Sequence, residues 1–158
     1  MPPQSTAQTA HLRQLVQGFV RSFGLLVTSE TPCGLPIAPS YAHALMVLLE
    51  HAESSPPMSQ ADLERILGID KSNVTRLCSR MVAAGHVVQE RAPNDGRSRL
   101  VNLTATGRRL AERVEQASRE RFGRIVAALP RDQRSTVFES LAALNEAVES
   151  LRDEGEPG

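Results

Sequence analysis

Five polar side chains, Ser72, Asn73, Thr75, Arg76 and Arg80, share one face of a stretch with helical period, and Asp95, Arg97 and Arg99 gather at an Asp-Gly turn further along. Short hydroxyl and amide groups let a helix backbone lie close to base-pair edges, while guanidinium groups reach phosphate or guanine. Asn73 suits adenine and Arg76 suits guanine, with the assignment of either left open. An arginine at a hairpin tip suits a narrow minor groove, where the negative potential is high, and Asp95 is placed to brace the Arg97 guanidinium through a forked ion pair. Together these groups offer the chemistry of double-stranded DNA recognition. The sequence contains no Gly-x-Ser-x-Gly, no phosphate-binding P-loop and no His-Glu-x-x-His, and its carboxylates are spaced from bases as on solvated helix faces. The expectation is therefore a chain that is not an enzyme and takes no cofactor.

Charge supports the same face. The 158 residues carry a formal net charge of zero, but residues 65–113 hold ten bases against four acids, a net of +6, and the remainder balances it at −6. A basic segment in an otherwise acidic chain is the footprint expected of a polyanion reader. The 41% hydrophobic content suits one domain with a core, built from aliphatic side chains because aromatics are only 3%. No apolar run approaches the roughly 20 residues of a membrane span, and the N-terminus lacks the basic and apolar regions of a signal peptide. With only Cys33 and Cys78, no disulfide framework is expected, and the location read from the sequence is cytoplasmic.

The elements that must position these residues follow from periodicity and punctuation. Residues 1–9 read as frayed. Leu12, Leu15, Val16, Phe19, Val20, Phe23 and Leu26 form one face of a first helix ending near Thr28. Pro32, Gly34, Pro36 and Pro39 make the next segment stiff and irregular, and Ser40 is the expected cap of a second helix bearing Tyr41, Leu45, Leu48, Leu49 and Ala52. Ser54, Ser55, Pro56 and Pro57 break the chain. Ser59, with Asp62 three residues on, predicts a capping box for a helix turning Leu63, Ile66 and Leu67 inward and stopping at Gly68. Asp70 caps a helix over 71–84 whose buried stripe is Val74, Leu77, Cys78, Met81 and Val82, ended by Gly85.

Residues 86–91 and 98–103 are strand-like around the turn 92–96, with Val101 and Leu103 on one strand face. Thr104 caps a helix through Leu110, Val114, Ala117, Ile125 and Leu129 to Pro130. Val137, Leu141, Leu144, Val148 and Leu151 then form a heptad seam, and the tail past Arg152 reads as unstructured.

This order predicts a mainly α fold with a small β-hairpin wing. A winged helix-turn-helix core over 40–104, with recognition helix 71–84 and wing 86–103, is flanked by dimerisation helices over 10–28 and 106–152 in one domain of 158 residues. Long terminal helices with continuous apolar seams cannot all bury on one small reader, so a homodimer is expected.

The residues Leu63…Leu67-Gly68-Ile69, Ser72-Asn73-Val74-Thr75-Arg76-Leu77…Met81…Gly85 and Arg91…Asp95-Gly96-Arg97…Val101-Asn102-Leu103-Thr104-Ala105-Thr106-Gly107 resemble the MarR family of bacterial winged helix-turn-helix regulators. The Asp-x-Arg wing and the Leu-Thr-x-x-Gly after it carry most of the specificity. The resemblance implies an obligate homodimer with interleaved first and last helices, and an effector pocket between dimer domain and reader. Glu64 departs from it, standing where the family more often has a small residue at the helix crossing, which implies a wider crossing or an outward-turned side chain.

The candidate effector pocket is lined by Phe19, Phe23, Tyr41 and His43, with Ile37, Leu45 and Val88 nearby, and suits a small organic molecule. A repressor released by such an effector is the leading expectation. The alternatives are a winged-helix protein-interaction module, against which the retained Arg76, Arg80, Arg97 and Arg99 argue, and a metal- or redox-responsive regulator using Cys33. Cys33, His43, His51 and His86 lack the pairwise spacing of a structural metal site, so no metal is expected. The nearest charge to Cys33 in sequence is Glu30, the wrong sign to activate a thiol.

Overall fold

The computed structural model describes residues 6–52, 57–93 and 95–155. The expected chain break at Ser54, Ser55 and Pro56, the frayed first five residues, Asn94 of the turn and the last three residues of the tail lie outside them. The chain divides into two compact units, Met1–Ser118 and Arg119–Gly158. Its elements are helices α1 (Thr6–Phe23), α2 (Pro39–His51), α3 (Gln60–Leu67) and α4 (Lys71–Ala83), strands β1 (Val87–Ala92) and β2 (Asp95–Leu103), then α5 (Ala105–Ala128), a 3₁₀ turn (Arg131–Gln133) and α6 (Arg134–Asp153). The fold is mainly helical with one small hairpin, as expected.

The core of the first unit is aliphatic. Tyr41, Ala44, Leu45 and Leu48 of α2 meet Leu63 of α3, Val74, Leu77, Cys78 and Met81 of α4, Met58, Val87 and Val101 of the hairpin layer, and Ala111 and Val114 of α5. Burial raises the Cys78 thiol pKa, so it serves as a small hydrophobe rather than a nucleophile. Two side chains expected inward are not. Ile66 is 47% exposed and Val82 is 42% exposed, because the short α3 commits Leu63 to the core and the stripe at positions 74, 77, 78 and 81 of α4 is complete without Val82. Glu64, beside the fully buried Leu63, is half-buried.

Helix ends correct three expectations. The first helix begins at Thr6, inside the stretch read as frayed, and stops at Phe23 rather than near Thr28. Gly24 takes a φ of 87°, its N–H donates to the Arg21 carbonyl at 3.2 Å and that of Leu25 donates to the Val20 carbonyl at 3.1 Å. That paired closure ends a helix whatever apolar residues follow. The second helix is capped not by Ser40 but by Ala38, extended at φ −60° and ψ 141° without a side-chain bond, because Pro39 occupies the first helical position. Proline there lacks only an N–H that would be unpaired anyway, and it forces its predecessor out of the helical region.

The caps of α3 and α4 form as the spacing predicts. Ser59 and Asp62 exchange side-chain and backbone bonds in a complete capping box, and Asp70 accepts the Asn73 N–H at 2.9 Å. Hydrogen bonds, from Ser59 to Asp62 and chiefly from Ser72 to Asp70, hold both carboxyls below the ordinary value of 3.8.

The hairpin is longer at its tip than expected, since β2 starts at Asp95 rather than Ser98. Val87 pairs with Leu103 and the ladder runs regularly to Arg91 opposite Arg99, then shifts so that Ala92 faces Asp95. A further pairing was not foreseen: Ser59 bridges Leu100, and the Val101 N–H donates to the Met58 carbonyl at 2.9 Å. The segment entering α3 thus covers the outer edge of β2.

The wing root is anchored at His86. Gly85, at φ 71°, lets the His86 N–H reach back to the Met81 carbonyl at 2.9 Å and close α4. Thr104 then donates its N–H to the His86 carbonyl at 3.0 Å and its hydroxyl to the Gly85 carbonyl at 2.6 Å, while accepting the Gly107 N–H at 3.0 Å to cap α5. A β-carbon on Gly107 would stand 1.8 Å from the His86 carbonyl oxygen.

In the second unit, Pro130 ends α5 and Arg134 Nε donates to the Leu129 carbonyl at 3.3 Å. Neither α6 here nor α1 in the first unit contains a buried residue. Among the described residues no helix is long and apolar enough to cross a membrane.

Two outcomes follow from these contacts. Gly107→Ala is expected to cost about 3 kcal/mol in denaturant unfolding, the upper end of overpacking penalties, because the clash is with backbone. Gly96→Ala, which meets nothing within 4 Å, is expected to stay within about 0.5 kcal/mol. The depressed Asp62 and Asp70 carboxyls contribute stability that is present above the ordinary value of 3.8 and is lost as pH falls through their lower folded values. Asp70→Asn keeps a capping oxygen but removes the charge. Its melting temperature is therefore expected to fall less than the parent's between about pH 5 and about pH 3. Equal acid slopes would contradict the assignment.

Candidate nucleic-acid interface

All five recognition-helix candidates lie on the exposed side of α4: Ser72, Asn73, Thr75, Arg76 and Arg80. Three of them are already linked through Asp70. Ser72 Oγ donates to Asp70 Oδ1 at 2.6 Å, Asn73 Nδ2 donates to Asp70 Oδ2, and an Arg76 guanidinium nitrogen donates to Asn73 Oδ1. Asp70 thus caps the helix and begins a chain of hydrogen bonds that ends on Arg76. Both ends of the Asn73 amide are occupied, whereas Arg76 retains most of its five donors. The Thr75 hydroxyl donates to the Lys71 carbonyl at 2.8 Å.

Arg80 is held differently. Its guanidinium carbon lies 5.9 Å from the centre of the Tyr41 ring, within range of a cation–π contact. Tyr41 is buried, its hydroxyl 2.6 Å from His86 Nδ1 and its ring edge-on to the imidazole. Burial raises the Tyr41 pKa and the nearby Arg80 opposes the rise. Ser40, Ile69, Asn73, Arg76, Leu77 and Arg80 line a recess of about 330 Å³ beside the start of α2. Ser40, which does not cap α2, therefore shares a surface with Arg76 and Arg80.

At the wing, the expected forked pair between Asp95 and Arg97 is not formed. Asp95 Oδ1 instead accepts the backbone N–H of Arg97 at 3.0 Å. An aspartate reaches the N–H two residues on without ordering a long side chain, so the local turn bond is the cheaper one. The carboxylate shapes the tip, and Arg97 and Arg99 are both exposed.

Register adds a residue that sequence reading left out. Arg91 lies directly opposite Arg99, and like charges facing each other across strands repel. Glu90, one residue away, falls on the opposite face of the hairpin. Only the pairing register makes this visible. Neither arginine says from its own neighbourhood in the sequence that the other will face it.

The candidate effector residues are not gathered by one contact. Phe19 and Phe23 stack on α1 with ring centres 5.0 Å apart. Tyr41 belongs to the reader core, and His43 is exposed on α2. Ile37 packs at the core margin, Leu45 is fully buried and Val88 is 45% exposed. A different recess, of about 550 Å³, is lined by Met46, Leu49, Glu50, Arg108, Glu112 and Glu115. Cys33 is half-buried with its sulfur 3.0 Å from the hydroxyl of the buried Thr31.

Comparison with known proteins agrees with this geometry. The sequence profile of the MarR family matches residues 34–98, from the loop before α2 to the wing. The chain is 31% identical over 110 residues to the uncharacterized HTH-type transcriptional regulator YdgJ of Bacillus subtilis (strain 168), covering 68% of this chain but under two thirds, 63%, of that relative's length. The crystal structure of a probable transcriptional regulator from Pseudomonas aeruginosa is 27% identical, with a TM-score of 0.64 over 86% of this chain and 95% of that one. The fold is also that of S. aureus MepR in its DNA complex, at 16% identity and a TM-score of 0.65 over 90% of this chain and 93% of that one. The helix α4 and the hairpin described above are thus those of a known class, and the chain belongs to the MarR family of winged helix-turn-helix transcriptional regulators.

Proposed function

We propose that the protein is a homodimeric, sequence-specific binder of double-stranded DNA that represses transcription and is released by a small organic effector. The observation that carries the DNA reading is the arginine arrangement: Arg76 and Arg80 on the exposed face of α4, and Arg91 opposite Arg99 beside Arg97 at the wing. Such a surface is unfavourable alone and favourable against phosphates. In this reading Ser72, Asn73, Thr75, Arg76 and Arg80 enter the major groove, and Asp95 shapes the tip that carries Arg97 and Arg99 to the backbone or minor groove.

The dimer reading rests on the terminal helices. Leu12, Leu15, Val16 and Phe19 of α1 and Phe138, Leu141, Val148 and Leu151 of α6 each stay 41–58% exposed in the single chain. A second copy would cover them, with 10–28 and 106–152 as the dimerisation segments. Two-fold symmetry then places two recognition helices about 34 Å apart, on successive turns of an inverted repeat of roughly 15–20 base pairs. Bound over a promoter, such a dimer excludes polymerase.

The effector reading is supported by the stacked Phe19–Phe23 pair, exposed at Phe19 and half-buried at Phe23, and the exposed His43. Tyr41 is bonded to His86, so a ligand recruiting its hydroxyl would have to replace that bond. An effector releases the operator only by binding one spacing of the two readers better than the other.

A salt titration of binding tests the DNA reading. The logarithm of affinity should fall with the logarithm of salt by about 0.9 per neutralised phosphate, and a flat response would favour a protein-interaction module. Arg97→Ala is expected to weaken binding by about 1–3 kcal/mol if the wing inserts. A footprint confined to one asymmetric half-site would sink the two-fold arrangement.

A further inference from the structure

A chain of side-chain hydrogen bonds joins the wing to the recognition helix through a residue outside both. Gln60 is the first residue of α3 and is half-buried. Its Nε2 donates to Thr75 Oγ1 at 2.9 Å, and its Oε1 accepts from Gln89 Nε2 at 2.9 Å. Gln89 sits mid-strand in β1, paired with Val101, and Thr75 is on the exposed face of α4. The chain ends on backbone, where the Thr75 hydroxyl donates to the Lys71 carbonyl at 2.8 Å.

Donor arithmetic makes the directions of these bonds consistent with one another. Thr75 has one hydroxyl proton and gives it to Lys71, so it can only accept from Gln60. Gln60 must therefore turn its amide nitrogen to Thr75, which leaves its carbonyl for Gln89. The order Gln89 to Gln60 to Thr75 to Lys71 gives each of these side chains a partner. Its backbone support is independent, since Ser59 next door bridges Leu100 and accepts the Asp62 N–H.

We infer that Gln60 is a positioning residue for sequence recognition: it ties the wing to the recognition helix through Gln89 and Thr75, and Thr75 acts through this tie rather than as a hydrogen-bond donor to a base. The inference rests on the DNA-binding reading above. In the free protein the outer bond faces water and is weak. When DNA covers the face, water leaves and the same bond strengthens, so the tie operates in the bound state, where register between wing and helix decides which bases meet which side chains. Non-specific binding through phosphates does not need that register.

The test uses the full-length protein and two duplexes of equal length, one enriched from a random library by the parent protein and one scrambled. Gln60→Ala is expected to lose about three- to tenfold in preference for the enriched duplex, the worth of one or two net hydrogen bonds. Its affinity for the scrambled duplex should stay within about twofold, since phosphate contacts are untouched. Gln89→Ala reads the tie from its other end and serves if Gln60→Ala misfolds. The double variant should lose no more preference than the larger single loss, because both break one chain. An unchanged preference, an equal loss on both duplexes, or additive losses in the double variant would overturn the role. Failure of the parent protein to enrich any duplex would overturn the DNA reading itself, and the tie with it.

Discussion

The corner at His86 is the constraint on which the reader's geometry rests. Its N–H closes α4, its carbonyl receives the Thr104 N–H and lies against Gly107, and its ring meets the buried Tyr41 hydroxyl. Helices α2, α4 and α5 and the root of β1 therefore converge on one residue's polar atoms. Such a junction is stiff because each group has one partner, and losing any partner leaves a half-buried polar atom unsatisfied. The recognition helix and the root of the wing cannot be re-aimed separately without breaking it. Gly107 shows how close the convergence is, since the space a methyl group would need is filled by a carbonyl oxygen.

Around that rigid corner, the groups that would meet DNA are organised before any ligand arrives. Asp70, Ser72, Asn73 and Arg76 form one hydrogen-bonded series along α4, and Arg80 leans on the Tyr41 ring. Side chains held in this way have less rotamer freedom to lose on association. The bonds are exposed, so they can be exchanged for contacts to bases without leaving a buried group unpaired. The helix thus combines a preset arrangement with the capacity to adjust.

What could be read from the sequence was local. Capping at Ser59 and Asp70, the stops at Gly68 and Gly85 and the polar face of α4 depend on residues within a few positions of one another, and each formed as the spacing predicts. Local competition explains several misses. Gly24 closed α1 although apolar residues continue past it, Pro39 took the position that left Ser40 inside α2, and Asp95 chose a backbone N–H two residues away over a guanidinium. The remaining misses are long-range. The strand-like segment before α3, the facing of Arg91 with Arg99, and the chain through Gln60 and Gln89 join residues distant in sequence, and no periodicity announces them. The outward turn of Ile66 and Val82 belongs with these, because the size of the core, not the helical period, decides how wide an apolar stripe must be.

The opposed Arg91 and Arg99 set two like charges across from each other on the wing, a repulsion that anions relieve. Dissolved salt and a DNA backbone are therefore competitors for the same relief. Raising ionic strength screens the repulsion and calms the hairpin, yet it also removes the gain in counterion entropy that drives binding to a polyanion. If the wing meets DNA as proposed, its repulsion is strongest under the dilute conditions in which its attraction to DNA is greatest, so wing order and wing affinity respond to salt with opposite signs.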